Sequence, residues 1–456
     1  MTTNSTADGR CEILDAALES AQKLHGFTVK AREQLAEIEG TAYVMEHKAS
    51  GARLLFLSNE DTNKAFSIAF RTPPENDTGV FHILEHSVLC GSDRFPVKEP
   101  FVNLLKSSMQ TFLNAMTFPD KTMYPVASTN EQDLLNLMDV YLDAVFHPAI
   151  YHNRHIFEQE GWHYELASNI GEDNACAESS DDIDPSRLRI NGVVYNEMKG
   201  ALSNPEGVLF DALSAALFPD TQYRFESGGT PKAIPTLTYE DYLEQHARHY
   251  RPDNSYIHLY GNLDIDCVLA FIDERYLTPL ASSRAHGKAE EALAPRTLAF
   301  QQPVINRGIR IEMPTAPENA CCGLAYCIGT STDHERLIAT DVLLDSLFGS
   351  NESPLKRALL DAELADDATA FLGDSLLQPF AIVQLRGSRP NVLERFQEVL
   401  DEAVRELLDK GIDEDLIEAS LAHSEFVMRE HDFGTADGVI FAMASMAGWL
   451  YDDDAP

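Results

Sequence analysis

Two histidines and a glutamate stand within five residues of one another, in His82-Ile83-Leu84-Glu85-His86. On a helix, positions 82, 85 and 86 share one face. Two neutral imidazoles on one face can hold a single zinc ion, and a carboxylate beside them can take a proton from a water that the ion polarises. The order H-x-x-E-H reverses the H-E-x-x-H zinc motif. Cys90 continues the i+4 ladder from His86 and is a rival ligand. Gly91 beside it ends the helix, so the thiol reads as buried and inert.

This chemistry requires the stretch to be helical. Lys64 to Arg71 reads as a buried strand, broken by the two prolines between Thr72 and Asn76. Asp77 and Thr78 are suitable N-caps, and Val80, Phe81, Leu84, Val88 and Leu89 follow at helical spacing. The pattern predicts a short helix of about three turns entered from a sheet. Catalytic zinc usually takes a third protein ligand. Glu158, Glu160, Glu165, Glu197, His152, His155 and His163 all lie downstream, and spacing alone does not choose among them. His152 and His155 follow a proline and are three apart, which favours a structural role. Glu197 is a lone acid after an apolar run, on a helix with small residues nearby.

Residues 12–38 read as a helical lead-in and linker. Strands are expected near 41–47, 52–58 and 64–71, then a strand over Gln110–Thr117 that turns at Pro119-Asp120 and returns as Thr122–Ala127. Asn130 should cap an amphipathic helix over 131–146, closed by Pro148. Residues 167–188 are acidic and Ser/Asp-rich and read as an exposed loop. Helical pattern covers 191–202, pauses at Asn204-Pro205 and runs on to about 217. Tyr256–Gly261 is a late strand, and 280–298 resembles a linker. Beyond 300 the plan repeats, with a strand near 320–329 and a helix at 334–348 that carries Asp341 and Asp345 but no histidine pair.

The 456 residues suffice for two or three domains, and a 44% hydrophobic fraction is that of a globular chain. The formal net charge of −38, from 73 acids against 35 bases, argues against nucleic acid and anionic membranes as partners. It permits attraction of cationic peptides. Seven scattered cysteines, an odd count, argue against a disulfide framework and for a reducing, cytoplasmic setting. The first 25 residues show neither a secretory nor an Arg-rich targeting pattern, and no apolar run approaches a membrane span.

Longer stretches now carry a resemblance. They are Thr78–Ser92 (TGVFHILEHSVLCGS), Lys98–Leu105 (KEPFVNLL), Thr111–Thr117 (TFLNAMT), Tyr124–Asn130 (YPVASTN) and Phe157–Trp162 (FEQEGW). Gly192–Ala201 (GVVYNEMKGA), His249–Asn254 (HYRPDN) and Ser350–Ala365 (SNESPLKRALLDAELA) continue the series in order. With these the chain resembles the pitrilysin/insulinase zinc metallopeptidases, and most closely the N-terminal half of the presequence proteases.

The resemblance implies an α+β, LuxS/MPP-type metalloendopeptidase architecture. It has two similar domains, each an antiparallel or mixed sheet packed with helices, the first catalytic and the second without a metal site. The expected division is a lead-in at 1–39, a catalytic domain at 40–279, a linker at 280–299 and a homologous non-catalytic domain at 300–456. The resemblance further implies one zinc ion per chain on His82, His86 and Glu197, with Glu85 as the base. It implies that Leu113, Asn114 and Ala115 form an exposed edge to which extended peptide adds. Substrates would be unstructured peptides cleaved inside a closed chamber. In the family a second half supplies an arginine and a tyrosine that have no counterpart here, so a complementing C-terminal half is an expected partner. The alternative reading is a non-catalytic or half-enzyme subunit that requires a second chain.

Overall fold

The computed structural model describes residues 7–20, 23–97, 104, 106–166, 187–286, 294–431 and 433–451. A first helix, Ala7–Ser20, leads into four strands, β1 (Phe27–Leu35), β2 (Gly40–His47), β3 (Arg53–Ser58) and β4 (Lys64–Arg71). The expected helical lead-in through residue 38 therefore ends at Ser20. Phe27 and Val29 alternate inward on β1, but the run Lys30–Gln34 is exposed and polar, which hides the period of two.

The motif helix is Val80–Val88. It is followed by β5 (Gln110–Leu113), β6 (Met116–Thr117), β7 (Lys121–Ser128) and the helices Glu131–Phe146 and Arg154–Glu160. Asn130 caps the first of these helices, its side chain accepting from the Asp133 N–H at 2.9 Å, as its sequence predicts. β8 (His163–Leu166) and β9 (Leu188–Asn191) pair as a ribbon; residues 167–186 of the expected acidic loop lie outside the described residues. The helices Val193–Ala201, Pro205–Leu217 and Tyr239–His249 come next, and then β10 (Ser255–Tyr260).

The first sheet runs in the order β1-β2-β3-β10-β4-β7-β5, with β6 also on β7. Only the β3–β10 pair is parallel. On one face, Phe56, Phe66, Ile68, Phe70, Tyr124 and Ile257 pack against the motif helix, the Glu131–Phe146 helix and the Tyr239–His249 helix. This is the main core, and it fixes the inner side of the motif helix.

The strand expected over Gln110–Thr117 is interrupted at Asn114-Ala115. The register places Leu113 opposite Val126 and Met116 opposite Met123, so Asn114 faces Pro125. Pro125 has no N–H and cannot complete the ladder. Asn114 N–H still donates to the Pro125 carbonyl at 3.3 Å. The Tyr141 hydroxyl donates to the Asn114 carbonyl at 3.2 Å in place of the missing strand donor.

A second, smaller sheet holds β11 (Cys321–Cys327), β12 (Asp367–Gly373) and β13 (Phe380–Arg386) in the order β11-β13-β12, all antiparallel. The strand and the helix His334–Phe348 fall where the second half of the sequence predicts them. The helices Pro354–Asp361 and Leu393–Lys410 cover this sheet around Leu359, Phe396 and Leu400. The expected linker is helical at its start, in Thr278–His286; residues 287–293 lie outside the described residues.

The helix Asp437–Trp449 returns to the first sheet. Val439, Ala442, Met446 and Trp449 pack on its second face against Leu57, Ala65, Ala69, Tyr256 and Tyr260. A buried polar cluster ties the same junction. Asp120 accepts from Tyr223 at 2.6 Å and from Tyr451 at 2.8 Å, and Lys121 Nζ lies 3.3 Å from Asp120 and donates to the Ser375 carbonyl at 3.0 Å.

Candidate metal centre

The motif helix buries Val80, Phe81, Ile83, Leu84 and Val88 in the core and turns His82 and His86 to the opposite side. Its N-cap is Gly79 in the left-handed region at φ 64°, not Asp77 or Thr78 as their side-chain chemistry predicts. Gly79 lies against the backbone of Gly228 and Gly229: a Cβ there would stand 2.3 Å from the Gly228 oxygen. Asp77 is turned to another use, accepting the Glu226 N–H at 3.0 Å, and Thr78 donates to Asn76.

Glu197 reaches the two histidines from the helix Val193–Ala201. That helix starts at Gly192, packed so closely on the end of the Arg154–Glu160 helix that a Cβ would stand 2.1 Å from the Gly161 oxygen. Glu197 Oε2 is 3.6 Å from His82 Nε2 and 3.6 Å from His86 Nε2. One ligand atom from each of the three residues lies within 4.8 Å of the others. The carboxylate is 53% exposed while both imidazoles are largely covered, so the cluster is reached from the Glu197 side.

Both imidazoles are oriented from behind. His82 Nδ1 faces the Gly228 carbonyl at 3.3 Å. A carbonyl only accepts, so Nδ1 carries the proton and Nε2 keeps its lone pair toward Glu197. His86 Nδ1 donates in the same way to Glu160 Oε2 at 3.3 Å. Burial works against a charged His86, but the Glu160 hydrogen bond and the fields of Glu85, Glu160 and Glu197 outweigh it and raise its pKa. Burial likewise opposes an ionised Glu160. Hydrogen bonds from His86, Gln159 and Cys90 reverse that, and its pKa is lowered. Glu160 is thus the orienting acceptor for His86 and not a third member of the cluster. Two imidazole nitrogens and a carboxylate oxygen, each imidazole with its other nitrogen held, are donor types that a divalent ion such as zinc accepts, so the group is a candidate metal site.

Glu85 is buried on the same helix, within the electrostatic reach of this group. Burial raises its pKa, opposed by a hydrogen bond from Thr117 and by the fields of His82 and His86. The Thr117 hydroxyl donates to Glu85 Oε2 at 2.7 Å, which links β6 directly to the motif helix. Along that edge, Asn114 directs its N–H to β7. Alternation turns the backbone groups of Leu113 and Ala115 the other way, where no strand among the described residues pairs with them.

The other residues considered from the sequence lie elsewhere. His155 is exposed beside Glu158, His163 donates to the Glu158 carbonyl, and Glu165 accepts from Asn191. Cys90 Sγ donates to the His86 carbonyl and to Glu160 and is not in the cluster. Thr117, Tyr141 and the Gly228 carbonyl carry no sequence signal, since each acts through an alignment that only the folded chain creates.

Residues 71–170 match the family model described as insulinase (peptidase family M16), and residues 236–422 match the model described as peptidase M16 inactive domain. The chain is 44% identical over 430 residues to protein HypA of Clostridium perfringens, covering 94% of this chain and 42% of that protein. It is 38% identical over 447 residues to presequence protease 1, chloroplastic/mitochondrial, of Arabidopsis thaliana, covering 96% and 39%. The chain therefore spans about two fifths of these relatives. The pitrilysin crystal structure superposes with a TM-score of 0.63 at 12% identity over 93% of this chain and 42% of that one, a likeness of fold.

Proposed function

The chain belongs to the insulinase family of peptidases, family M16, and from this we propose that it is the zinc-bearing N-terminal part of a metalloendopeptidase that hydrolyses unstructured peptides. The observation that carries the reading is the convergence of His82, His86 and Glu197 from two distant segments, with Glu85 beside them. His82, His86 and Glu197 would hold one zinc ion. Zinc bound there would acidify a water to a pKa of about 7 and polarise the scissile carbonyl.

The chain's own residues do the rest. Gly228 and Glu160 fix both imidazoles so that each Nε2 is free to bind. Thr117 holds Glu85 Oε2, leaving Oε1 to accept a proton from the attacking water and return it to the leaving nitrogen. The open backbone groups of Leu113 and Ala115 receive an extended peptide, and Asn114 lies between them. In this reading residues 40–279 form the catalytic unit, 280–299 the linker and 300–456 the non-catalytic one. The odd cysteine count supports a cytoplasmic setting. The names of the presequence proteases assign those proteins to mitochondria and chloroplasts.

The span of about two fifths supports the narrower alternative, in which hydrolysis requires a complementing C-terminal half that closes the chamber. Metal analysis and a fluorogenic peptide assay, each with and without such a half, test both. Wild type should carry one zinc per chain, H82A and E197Q little, and E85Q a full complement. E85Q with the complementing half should hydrolyse peptide slower by several orders of magnitude. Full zinc in H82A or E197Q would refute the ligand set, and normal turnover by E85Q would refute the base.

A further inference from the structure

Thr117, which holds Glu85, sits on a strand of two residues. β6 pairs with β7 through Met116 opposite Met123 and Thr117 opposite Thr122, and the edge is broken just upstream at Asn114-Ala115. So short a strand does not fix its own place. The turn that follows it is tied down instead. The Phe118 N–H donates to the Lys121 carbonyl at 2.8 Å, and the Asp120 carbonyl accepts the Thr72 N–H, just past β4, at 2.8 Å.

The charged side chains of this turn are buried and reach the part of the chain that carries the second sheet. Asp120 Oδ2 accepts from Tyr223 at 2.6 Å and from Tyr451 at 2.8 Å. Lys121 Nζ donates to the Ser375 carbonyl at 3.0 Å, in the connection between β12 and β13, and to Tyr451 Oη at 3.2 Å. The ammonium also lies 5.3 Å from the centre of the Phe118 ring and 5.5 Å from that of Tyr451. The Tyr451 hydroxyl has one proton and two acceptors at 2.8 Å, Asp120 and the Ser375 carbonyl, and the carboxylate is the stronger. An ion pair taken out of water keeps its geometry only while the rest of its hydrogen bonds are made. Ser375 and Tyr451 supply such bonds here, from more than 250 positions downstream.

We propose that Tyr451 is a positioning residue for Glu85: it holds Asp120 and Lys121, their turn holds Thr117, and Thr117 holds the carboxylate. The inference rests on the zinc-peptidase reading and gives the part of the chain around the second sheet a task in the reaction. Without the Tyr451 hydroxyl the turn stays packed but gains freedom. Thr117 then spends less time where it can donate to Glu85 Oε2, and the base is less often aimed.

The test compares full chains of wild type, Y451F, T117V and the double variant. Phenylalanine keeps a ring over Lys121, so Y451F removes the hydroxyl alone. All four should carry full zinc, since Glu85 is not a ligand. With the complementing half, Y451F should lower kcat roughly three- to tenfold and leave KM within about twofold. The two losses should not multiply: the double variant should turn over within about twofold of T117V. Hydrogen exchange, read by mass spectrometry on peptides covering 114–123, should be several-fold faster in Y451F, and this readout needs neither metal nor the second half. A wild-type kcat in Y451F, losses that multiply in the double variant, or unchanged exchange overturns the inference and leaves the zinc-peptidase reading standing. A wild type that hydrolyses no peptide with the complementing half removes both. If Y451F does not fold, Y223F, which removes the other hydroxyl donor to Asp120, carries the same comparison.

Discussion

Glu85 is a buried acid one residue from a cluster that attracts positive charge, and its immediate hydrogen-bond partner is a strand residue, Thr117. This bond keeps one carboxylate oxygen still and favours the ionised form that a base needs. T117V should retain full zinc but hydrolyse peptide about tenfold or more slowly when assayed with the complementing half, and T117S should recover most of the rate. Zinc analysis alongside kcat and KM decides the matter: zinc loss in T117V, or an unchanged kcat, would contradict this role. At this scale the five-residue motif was legible because its spacing is that of one helix face. Glu197 became legible only by family resemblance, since 111 positions separate it from His86 and no local spacing links them. Glu160 was visible merely as one acid among several. Its assignment to His86 Nδ1 depends on where the Arg154–Glu160 helix ends.

At the scale of elements, the edge beside the centre depends on a substitution of partners. Pro125 withholds a ladder donor from Asn114, and Tyr141 supplies one from the helix beneath. Y141F would leave the Asn114 carbonyl without that donor, at a cost of about 1–3 kcal/mol in the buried limit. Y141F should keep its zinc and bind a labelled extended peptide several-fold more weakly, measured by fluorescence anisotropy in an E85Q background. Unaltered peptide affinity would show that the edge does not rely on this bond. The sequence predicted the strands β2, β3, β4 and β7 and the Asn130-capped helix closely, because each has an apolar period or a capping residue. It missed the break at Asn114-Ala115, which arises from a proline across the ladder. It also missed β1, whose outer half is polar, and the Gly79 cap, which is set by contact with a loop about 150 positions away.

At the scale of the whole molecule, the first sheet is closed on its second face by Asp437–Trp449. His258 of β10 lies in that interface, 4% exposed, its ring 5.3 Å from that of Trp449 and both nitrogens without a hydrogen-bond partner among the described residues. Burial lowers its pKa to about 3. The unfolded chain therefore binds this proton near pH 6.5 while the folded chain refuses it, so stability present above pH 6.5 is lost as the pH falls toward 3. H258F should gain on wild type by up to about 1.4 kcal/mol for each pH unit below 6.5, and the two should run parallel above it. Urea unfolding across pH 4–8 reads the difference directly, and a constant gap over that range would rule out His258 as its source. The return of the Asp437–Trp449 helix also constrains how the protein is made. On the ribosome, β10 emerges long before residue 437, and until then one side of an otherwise complete sheet lacks the cover of this helix. Maturation is thus not a matter of one unit finishing before the next begins. Until residues 437–449 arrive, the nascent chain carries a greasy surface and is a natural client for chaperones.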